Sequence, residues 1–320
     1  MTVTAWAPGR VNLIGDHTDH TGGFALPAAL HLGTTVVGEP GGDVVTLTSD
    51  ALPGTAVVRL DVDDPSSVEP GWARYVAGVV AELRPTTGFT GHVTSTLPVG
   101  AGLSSSASLE LAVAAALGAD LDPRPLAALG QRAEHRASGV PCGILDQLAS
   151  ASGVDGHALL LDCSTLEVTP VPVPDSIELV VVDSGERRTL DGSAYAQRRD
   201  EALAARADSD DPVLQRRARH VATENARVLA AVDALRAGDA VELGRLFTES
   251  HRSLADDFEV STPTLDALVA RLLATPGVHG ARLTGAGFGG CVVVVAEPGA
   301  LAEGWIARPS HGVCRQSTDG

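Results

Sequence analysis

Residues 97–107 constrain the fold more than any other stretch, because an extended run turns there through two glycines into three serines and an apolar helical pattern. Residues 93–97 predict a strand, and Gly100 and Gly102 lack the Cβ atoms that would keep a ligand from the backbone. A helix that begins within the serines leaves unpaired N–H groups and the positive end of its dipole at the bend. The stretch therefore predicts a phosphate-binding strand–turn–helix unit.

This stretch differs from the common phosphate-binding designs. A P-loop requires G-x-x-x-x-G-K-[ST], and a protein kinase requires a strand lysine after its glycine-rich loop. The chain contains no lysine, since all 23 of its basic residues are arginines, so both designs are excluded. The bend also lacks the G-x-G-x-x-G spacing of a dinucleotide site. Taken alone, the bend is equally typical of a serine-capped helix after a glycine turn.

Composition limits the partners of the chain. Its 320 residues, 44% of them hydrophobic, are enough for two packed domains. A net charge of −17 argues against a broad nucleic-acid surface, which needs clustered positive charge. We find no basic and apolar targeting segment at the start and no run of about eighteen apolar residues. We therefore expect a cytoplasmic protein that binds small molecules and neither nucleic acid nor membrane.

A second segment rich in chemical groups covers residues 7–24, where polar, charged and glycine residues are dense enough to predict an ordered functional loop. Arg10 alone is typical of a surface salt bridge, and His17 alone of a structural histidine. Together with Asp16 and Asp19, however, they lie within ten residues and between glycines. Carboxylates beside an imidazole suit hydrogen bonding to the hydroxyls of a neutral polyol.

Alternation and helical spacing predict the other elements. The Pro-rich stretch 170–174 cannot continue a central strand and indicates a crossing between domains. Trp72 and Tyr75, at helical spacing, fit a base pocket or, more ordinarily, a core stripe. Strands are expected over 33–38, 43–49, 56–62, 157–161 and 177–183, and helices over 123–137, 213–236, 239–250 and 263–274.

Two further turns carry candidate site residues. Residues 141–143 form a Pro-x-Gly turn that leads into a helix with Asp146 in its first turn, where an aspartate is ordinarily a cap or a dipole partner. Residues 285–290 include four glycines, more than a tight turn between paired strands needs. The surplus predicts close approach of the backbone to a ligand or to the first glycine bend.

Three segments of the chain resemble, in the same order, the three motifs of the GHMP small-molecule kinases. The residues that flank these motifs are similar to those of the galactokinase branch of that family. Residues 10–24 resemble its sugar signature, 98–107 its phosphate loop and 284–291 its third glycine motif. The resemblance also covers residues 72–76, 142–147, 188–199, 249–251 and 256–261. It implies an α+β fold of two domains, expected at 1–172 and 173–320, with the active site in the cleft between them.

The resemblance further implies transfer of the γ-phosphoryl group of ATP, with Mg²⁺, to the anomeric hydroxyl of D-galactose. It assigns Asp146 as the base and Arg10 as the cation beside it, which favours the ionised carboxylate and offsets charge on the transferring group. The sugar ligands implied are Asp16, His17, Asp19, Gly143 and Tyr195. The ATP-binding residues implied are Trp72, Gly100, Gly102, Leu103, Ser104, Ser105, Ser106, Gly285 and Gly287, and the magnesium ligands are Ser106 and Glu134.

Two departures from the family pattern bear on the sugar. Asp16 stands where galactokinases usually have Glu, and His20 where they usually have Tyr. A kinase of the same build for another sugar, such as N-acetylgalactosamine or arabinose, is therefore an alternative. A non-catalytic galactose sensor is a second, but such relatives typically lose part of the serine run, which is complete here at 104–106. We expect a monomer.

Overall fold

The chain folds into two β-sheets with helices packed against them. The computed structural model describes residues 1–98, 102–187 and 193–318. Residues 99–101, in the predicted phosphate loop, and residues 188–192, in the family resemblance, lie outside these ranges. The strands are β1 (Thr2–Ile14), β2 (Phe24–Pro40), β3 (Val44–Ser49), β4 (Ala56–Arg59), β5 (Phe89–Ser95), β6 (His157–Asp162), β7 (Glu167–Pro172), β8 (Glu178–Asp183), β9 (Val278–Thr284), β10 (Cys291–Ala296), β11 (Trp305–Ile306) and β12 (Cys314–Thr318).

The first sheet has the order β12-β1-β2-β5-β3-β4, with β6 paired to β2 and β7 to β6. Only the β3–β5 pair is parallel among the described strand pairs. The second sheet has the order β11-β8-β10-β9. Strand β12, late in the sequence, pairs with β1 in the first sheet. The domain boundary predicted between residues 172 and 173 stays a prediction.

The structure describes eight helices. Pro at the first helical position and Gly in the left-handed region after the last turn bound two of them, at 123–139 and 212–238. None of the described helices combines the length and apolar character that crossing a bilayer requires. The helices are α1 (Ala73–Leu83), α2 (Ser105–Ala116), α3 (Pro123–Ser138), α4 (Leu145–Ser152), α5 (Ser193–Ala204), α6 (Pro212–Ala237), α7 (Ala240–Asp256) and α8 (Pro263–Leu273).

Three hydrophobic cores hold these layers together. The first packs α1–α4 on the large sheet, and α2 is buried on every side because helices and strands surround it. The third packs α8 on the small sheet. The second lies between them, where α6 and α7 join β1 and β2 to β8 and β10. This middle core positions the end of β1 against the second sheet.

Most predicted elements are confirmed. The strand predicted over 93–97 lies earlier, as β5, which ends at Ser95, and three further differences occur. The functional loop predicted over 7–24 is wrong for its first half, because residues up to Ile14 belong to β1 and only 15–23 connect it to β2. The predicted strand over 56–62 ends at Arg59. The first residues of the Pro-rich stretch, 170–172, belong to β7, an edge strand that pairs with β6 alone in the described sheet. Because no described strand pairs with its other edge, the N–H groups that the prolines lack break no hydrogen bonds to a second strand.

Candidate active site

A cavity of about 560 Å³ opens where the end of β1, the start of α2 and the start of α4 meet the β9–β10 turn. Most of the predicted site residues lie on its wall, although they come from distant parts of the chain. These are Arg10, Asp16, His17, Asp19, Gly102, Ser104, Ser105, Ser106, Glu134, Gly143, Asp146, Tyr195 and Gly285.

Strand β1 approaches the glycine–serine bend closely enough to bond to it. A Cβ atom at Gly9 would lie 2.5 Å from the Leu103 carbonyl oxygen, so only glycine fits there. The register of β1 against β2 shifts between Pro8 and Arg10, a bulge that redirects the strand. As a result the Arg10 N–H donates to Leu103 O at 3.1 Å, and its Nη1 donates to Gly102 O at 2.9 Å.

Two buried serines fix the neighbouring helices to β1. Ser108 of α2 donates its hydroxyl to the Ala7 carbonyl at 2.8 Å. Ser150 of α4 donates its hydroxyl to the next carbonyl, that of Pro8, at 2.6 Å. Both helices are therefore tied to adjacent carbonyls of β1 just before the bulge.

The carboxylate of Asp146 lies in the first turn of α4. Its Oδ1 accepts from Arg10 Nε at 2.7 Å, and its Oδ2 accepts from the Ser104 hydroxyl at 2.5 Å. Both side chains line the cavity, and Asp146, at 31% exposed, is more accessible than Arg10, at 9%. Ser104 has φ +60°, which turns the backbone sharply before α2.

Next to Asp146 on the cavity wall lies the carboxylate of Glu134, which a buried amide links to a second, fully enclosed glutamate. Ser106 Oγ donates to Glu134 Oε1 at 2.9 Å. Gln147 Nε2 donates to Glu134 Oε2 at 2.5 Å and to Glu110 Oε2 at 3.2 Å. Burial, and then the negative charge of Asp146, raises the pKa of Glu134. Burial raises the pKa of the enclosed Glu110 well above its ordinary value, with Glu134 adding to the effect.

The opposite wall carries polar groups suited to hydroxyls. A Cβ atom at Gly143 would lie 1.8 Å from Asp19 Oδ2, so the glycine leaves room for that carboxylate. Burial raises the pKa of Asp19, while the neighbouring His20 acts against the rise. The Tyr195 hydroxyl lies 3.0 Å from His20 Nε2, and burial raises the Tyr195 pKa. The His17 ring stacks on Phe258, with centroids 4.5 Å apart.

Asp16 is on the wall but already has partners for both carboxylate oxygens. Oδ1 accepts from the Gly285 N–H at 3.0 Å, and Oδ2 pairs with the guanidinium of Arg282. Asp16 is only 5% exposed. Its predicted contact with a sugar stays a prediction.

Three predicted nucleotide-binding residues lie off the cavity wall. Trp72 is buried in the first core, and its Nε1 donates to the Pro53 carbonyl at 3.0 Å, which supports the core interpretation of this side chain. Leu103 is buried, and Gly287 is packed against Val260, whose carbonyl oxygen would lie 2.4 Å from a Cβ there. Their contacts with a nucleotide stay predictions, and Gly100 lies outside the described residues.

Sequence reasoning missed several residues that build this site. Four buried polar residues lie behind the side chains that line the cavity and hydrogen-bond to the elements or side chains of the site: Ser108, Ser150, Gln147 and Glu110. A polar residue inside an otherwise apolar helix was the available signal, as at Ser108 and Glu110 in α2, because a buried polar group requires a partner.

Comparison with known proteins agrees with this geometry. Family models match residues 74–154 (GHMP kinases N terminal domain), 231–307 (GHMP kinases C terminal) and 2–40 (galactokinase galactose-binding signature). The chain is 44% identical to galactokinase of Bos taurus and to that of Homo sapiens, over 92% of this chain and 83% of each relative.

Solved structures give the same result. Lactococcus lactis galactokinase complexed with galactose matches with a TM-score of 0.89 at 32% identity, covering 98% of this chain and 95% of that chain. A mevalonate kinase matches with a TM-score of 0.72 at 21% identity, over 94% of this chain and 92% of the other, which shows the shared fold alone. The fold and the site thus define a kinase of the GHMP class with the α+β architecture expected from the sequence. Within that class, the chain belongs to the galactokinase family.

Proposed function

We propose that this chain transfers the γ-phosphoryl group of ATP to the anomeric hydroxyl of D-galactose, giving α-D-galactose 1-phosphate and ADP. The single observation that carries the proposal is the contact of Asp146 with both Arg10 and Ser104 at the described end of the glycine–serine bend. An acid held there faces the space between a phosphate cradle and a wall of hydroxyl-binding groups. Family membership supports the choice of substrates.

In the proposed reaction, Asp146 accepts the proton of the sugar hydroxyl as that oxygen attacks the γ-phosphorus. Oδ2 is suited to this role because its present partner, the Ser104 hydroxyl, rotates freely to another acceptor. Arg10 holds Oδ1, keeps the carboxylate oriented and offsets negative charge on the transferring group. Because phosphoryl transfer asks little covalent chemistry of the protein, positioning supplies most of the rate.

The residues around Ser106 and Glu134 fit Mg²⁺. A hydroxyl and a carboxylate oxygen lie 2.9 Å apart there, and Mg²⁺ typically takes one or two protein oxygens and keeps several waters. Burial and the charge of Asp146 raise the pKa of Glu134, so a cation would relieve the crowding of negative charge that the site otherwise contains. When bound, Mg²⁺ neutralises charge on the phosphates of ATP. Gln147 and Glu110 keep the Glu134 carboxylate in place.

For the sugar, His17, Asp19, Gly143 and Tyr195 form the proposed pocket. The buried Asp19 carboxylate accepts hydroxyl protons, the Gly143 backbone leaves it room, and the Tyr195 hydroxyl adds a donor or an acceptor. A site built to pair hydroxyls rejects sugars that leave its polar groups without partners. A cytoplasmic location and a monomeric state remain predictions from the sequence.

The proposal is tested with a panel of sugars, ATP and Mg²⁺, read by ADP formation. Galactose, N-acetylgalactosamine, arabinose and glucose are compared at equal concentration. We expect the highest kcat/KM with galactose. A higher kcat/KM with another sugar would identify that sugar as the substrate. Tight binding of galactose and ATP without turnover would favour a sensor.

A further inference from the structure

Four buried or nearly buried charges lie at the cavity wall or behind it. Arg282 of β9 is fully buried, as is Glu224 of α6, and Asp16 is 5% exposed. Arg282 pairs with Asp16, and Arg227 Nε donates to Glu224 Oε2 at 2.8 Å. Two cations and two anions therefore offset one another in a region where an unpaired charge would be costly. We call these four side chains the buried charge cluster.

Within the buried charge cluster, Asp16 joins two separate segments of the site. Its Oδ1 accepts from the N–H of Gly285, at the start of the third glycine motif, at 3.0 Å. The Arg282 guanidinium that holds Oδ2 also donates to the Leu13 carbonyl at 2.9 Å. The β9–β10 turn is thereby tied to the end of β1 by contacts on both sides of Asp16.

The loop 15–23, which carries the proposed sugar ligands, is held at both ends by α6. Glu224 Oε1 accepts from the Gly15 N–H at 3.0 Å, and Asn225 Oδ1 accepts from the Phe24 N–H at 2.7 Å. Ser250 of α7 bridges the cluster, since it donates to Glu224 Oε1 at 2.6 Å and accepts from Arg282 Nε at 3.1 Å. Neither Ser250 nor Glu224 lines the cavity.

From these contacts we infer that Asp16 is a positioning residue rather than a sugar ligand: its carboxylate fixes the loop 15–23 and the Gly285 turn relative to each other. The inference rests on the proposed function and replaces the sugar contact expected for Asp16 from the sequence. A carboxylate that is paired with a buried guanidinium and a backbone N–H has its charge satisfied within the protein. Sugar discrimination then falls to Asp19 and its neighbours.

The test uses hydroxyl deletion in the sugar. Asp16→Asn and wild-type protein are compared on galactose and on its 2-, 3-, 4- and 6-deoxy analogues, with kcat and KM measured for each. A positioning role predicts that kcat/KM falls about tenfold to a hundredfold, as misplacement of a site does, and by the same factor on every sugar. It also predicts a lower kcat for the folded variant at saturating substrates. A loss that disappears on one deoxy sugar would identify the lost hydroxyl contact and overturn the inference.

Ser250→Ala provides a second variant that leaves all four charges in place. We expect kcat/KM to fall by the same factor on every sugar, but by less than in Asp16→Asn. This variant therefore still tests the inference if Asp16→Asn does not fold. A change in Tm alone, with kcat and KM unchanged in both variants, would show a merely structural cluster and also overturn the inference. If wild-type protein does not phosphorylate galactose, the proposed function fails instead, and the deoxy series is then made from whichever sugar the wild type accepts.

Discussion

Arg10 and Asp146, 136 residues apart in the chain, form an ion pair at the mouth of the glycine–serine bend, with Arg10 Nε 2.7 Å from Asp146 Oδ1. The same guanidinium donates to the carbonyl of Gly102, so it ties the acid to the bend. One cation thereby sets the position of the proposed base relative to the glycine–serine bend. The account of the site depends on this relationship.

Arg10→Lys should lower kcat by about a hundredfold, as loss of a fixed charge-stabilising donor does in other enzymes. Lysine retains the charge, but it cannot contact both the Asp146 carboxylate and the Gly102 carbonyl from one planar group. Steady-state ADP release at saturating substrates measures the effect. Arg59→Lys, at an exposed ion pair with Asp61, is the matched control and should retain wild-type kcat. Equal kcat in the two variants would contradict the role given to Arg10.

Gly143→Ala should raise KM for galactose by about tenfold or more while KM for ATP stays within about twofold, since the loss of one hydrogen-bonded hydroxyl contact is worth about that much. The added methyl group would lie 1.8 Å from Asp19 Oδ2, so the carboxylate must move. Gly41→Ala is the control, because a Cβ there meets no atom within 4 Å. An unchanged KM for galactose would mean that Asp19 does not contact the sugar.

Glu134→Gln and Ser106→Ala should each raise the Mg²⁺ concentration needed for half-maximal rate by about tenfold, the scale seen when groups around a metal are altered. Ser106→Ala removes one of the two oxygens that lie 2.9 Å apart, and Glu134→Gln removes the negative charge of the other group. The rate of ADP release is measured against Mg²⁺ at fixed ATP, with Glu69→Gln, an exposed carboxylate, as control. Identical magnesium curves in all four proteins would exclude these two ligands.

Acid should destabilise the protein below pH 6.5 through His220. Burial lowers the pKa of this imidazole from its ordinary 6.5, with Arg227 and Arg282 acting in the same direction and Glu224 opposing them. Below pH 6.5 the unfolded chain therefore binds a proton at His220 that the native state does not bind. The contribution of His220 to the free energy of unfolding is fully present above pH 6.5 and is lost as the pH falls toward the native pKa. The free energy of unfolding should fall by up to about 1.4 kcal/mol per pH unit for this proton.

Urea unfolding between pH 7.5 and 5 measures this slope. Glu224 has a lowered pKa and an ordinary value of 4.5, so it contributes only at lower pH. Burial also lowers the pKa of His251, which adds to the wild-type slope. The raised pKa values of Asp19, Glu110 and Glu134 act against it. His220→Gln should flatten the slope, whereas replacing the exposed His31 by Gln should leave it unchanged. Equal slopes in wild type and His220→Gln would contradict a neutral buried imidazole.

The parts of the fold that local chemistry determines could be predicted from the sequence. Pro at helix starts and Gly after helix ends gave α3 and α6, and strong periodicity gave α8. The glycine–serine bend was also visible, because its residues are contiguous. The prediction of a loop through residues 7–14 of β1 was wrong, since a bulged strand that is buried on both faces has no period-2 pattern to mark it.

Contacts across the chain could not be predicted in this way. Asp16 and Arg282 are 266 residues apart, and Gly15 and Glu224 are 209 apart, so no periodicity relates them. Resemblance to a family placed Asp16 near the sugar, but it did not include the cation that holds its carboxylate. Glu224 lies among other polar residues of α6, so nothing in its sequence context marks it as buried or names its partners.

The most direct test of the central claim is galactose-dependent ADP release by Asp146→Asn, measured beside the binding of galactose and ATP by calorimetry. We predict that kcat falls by about a hundredfold to ten-thousandfold, the range for loss of a general base, while both ligands still bind. Retention of wild-type turnover by Asp146→Asn would contradict the account.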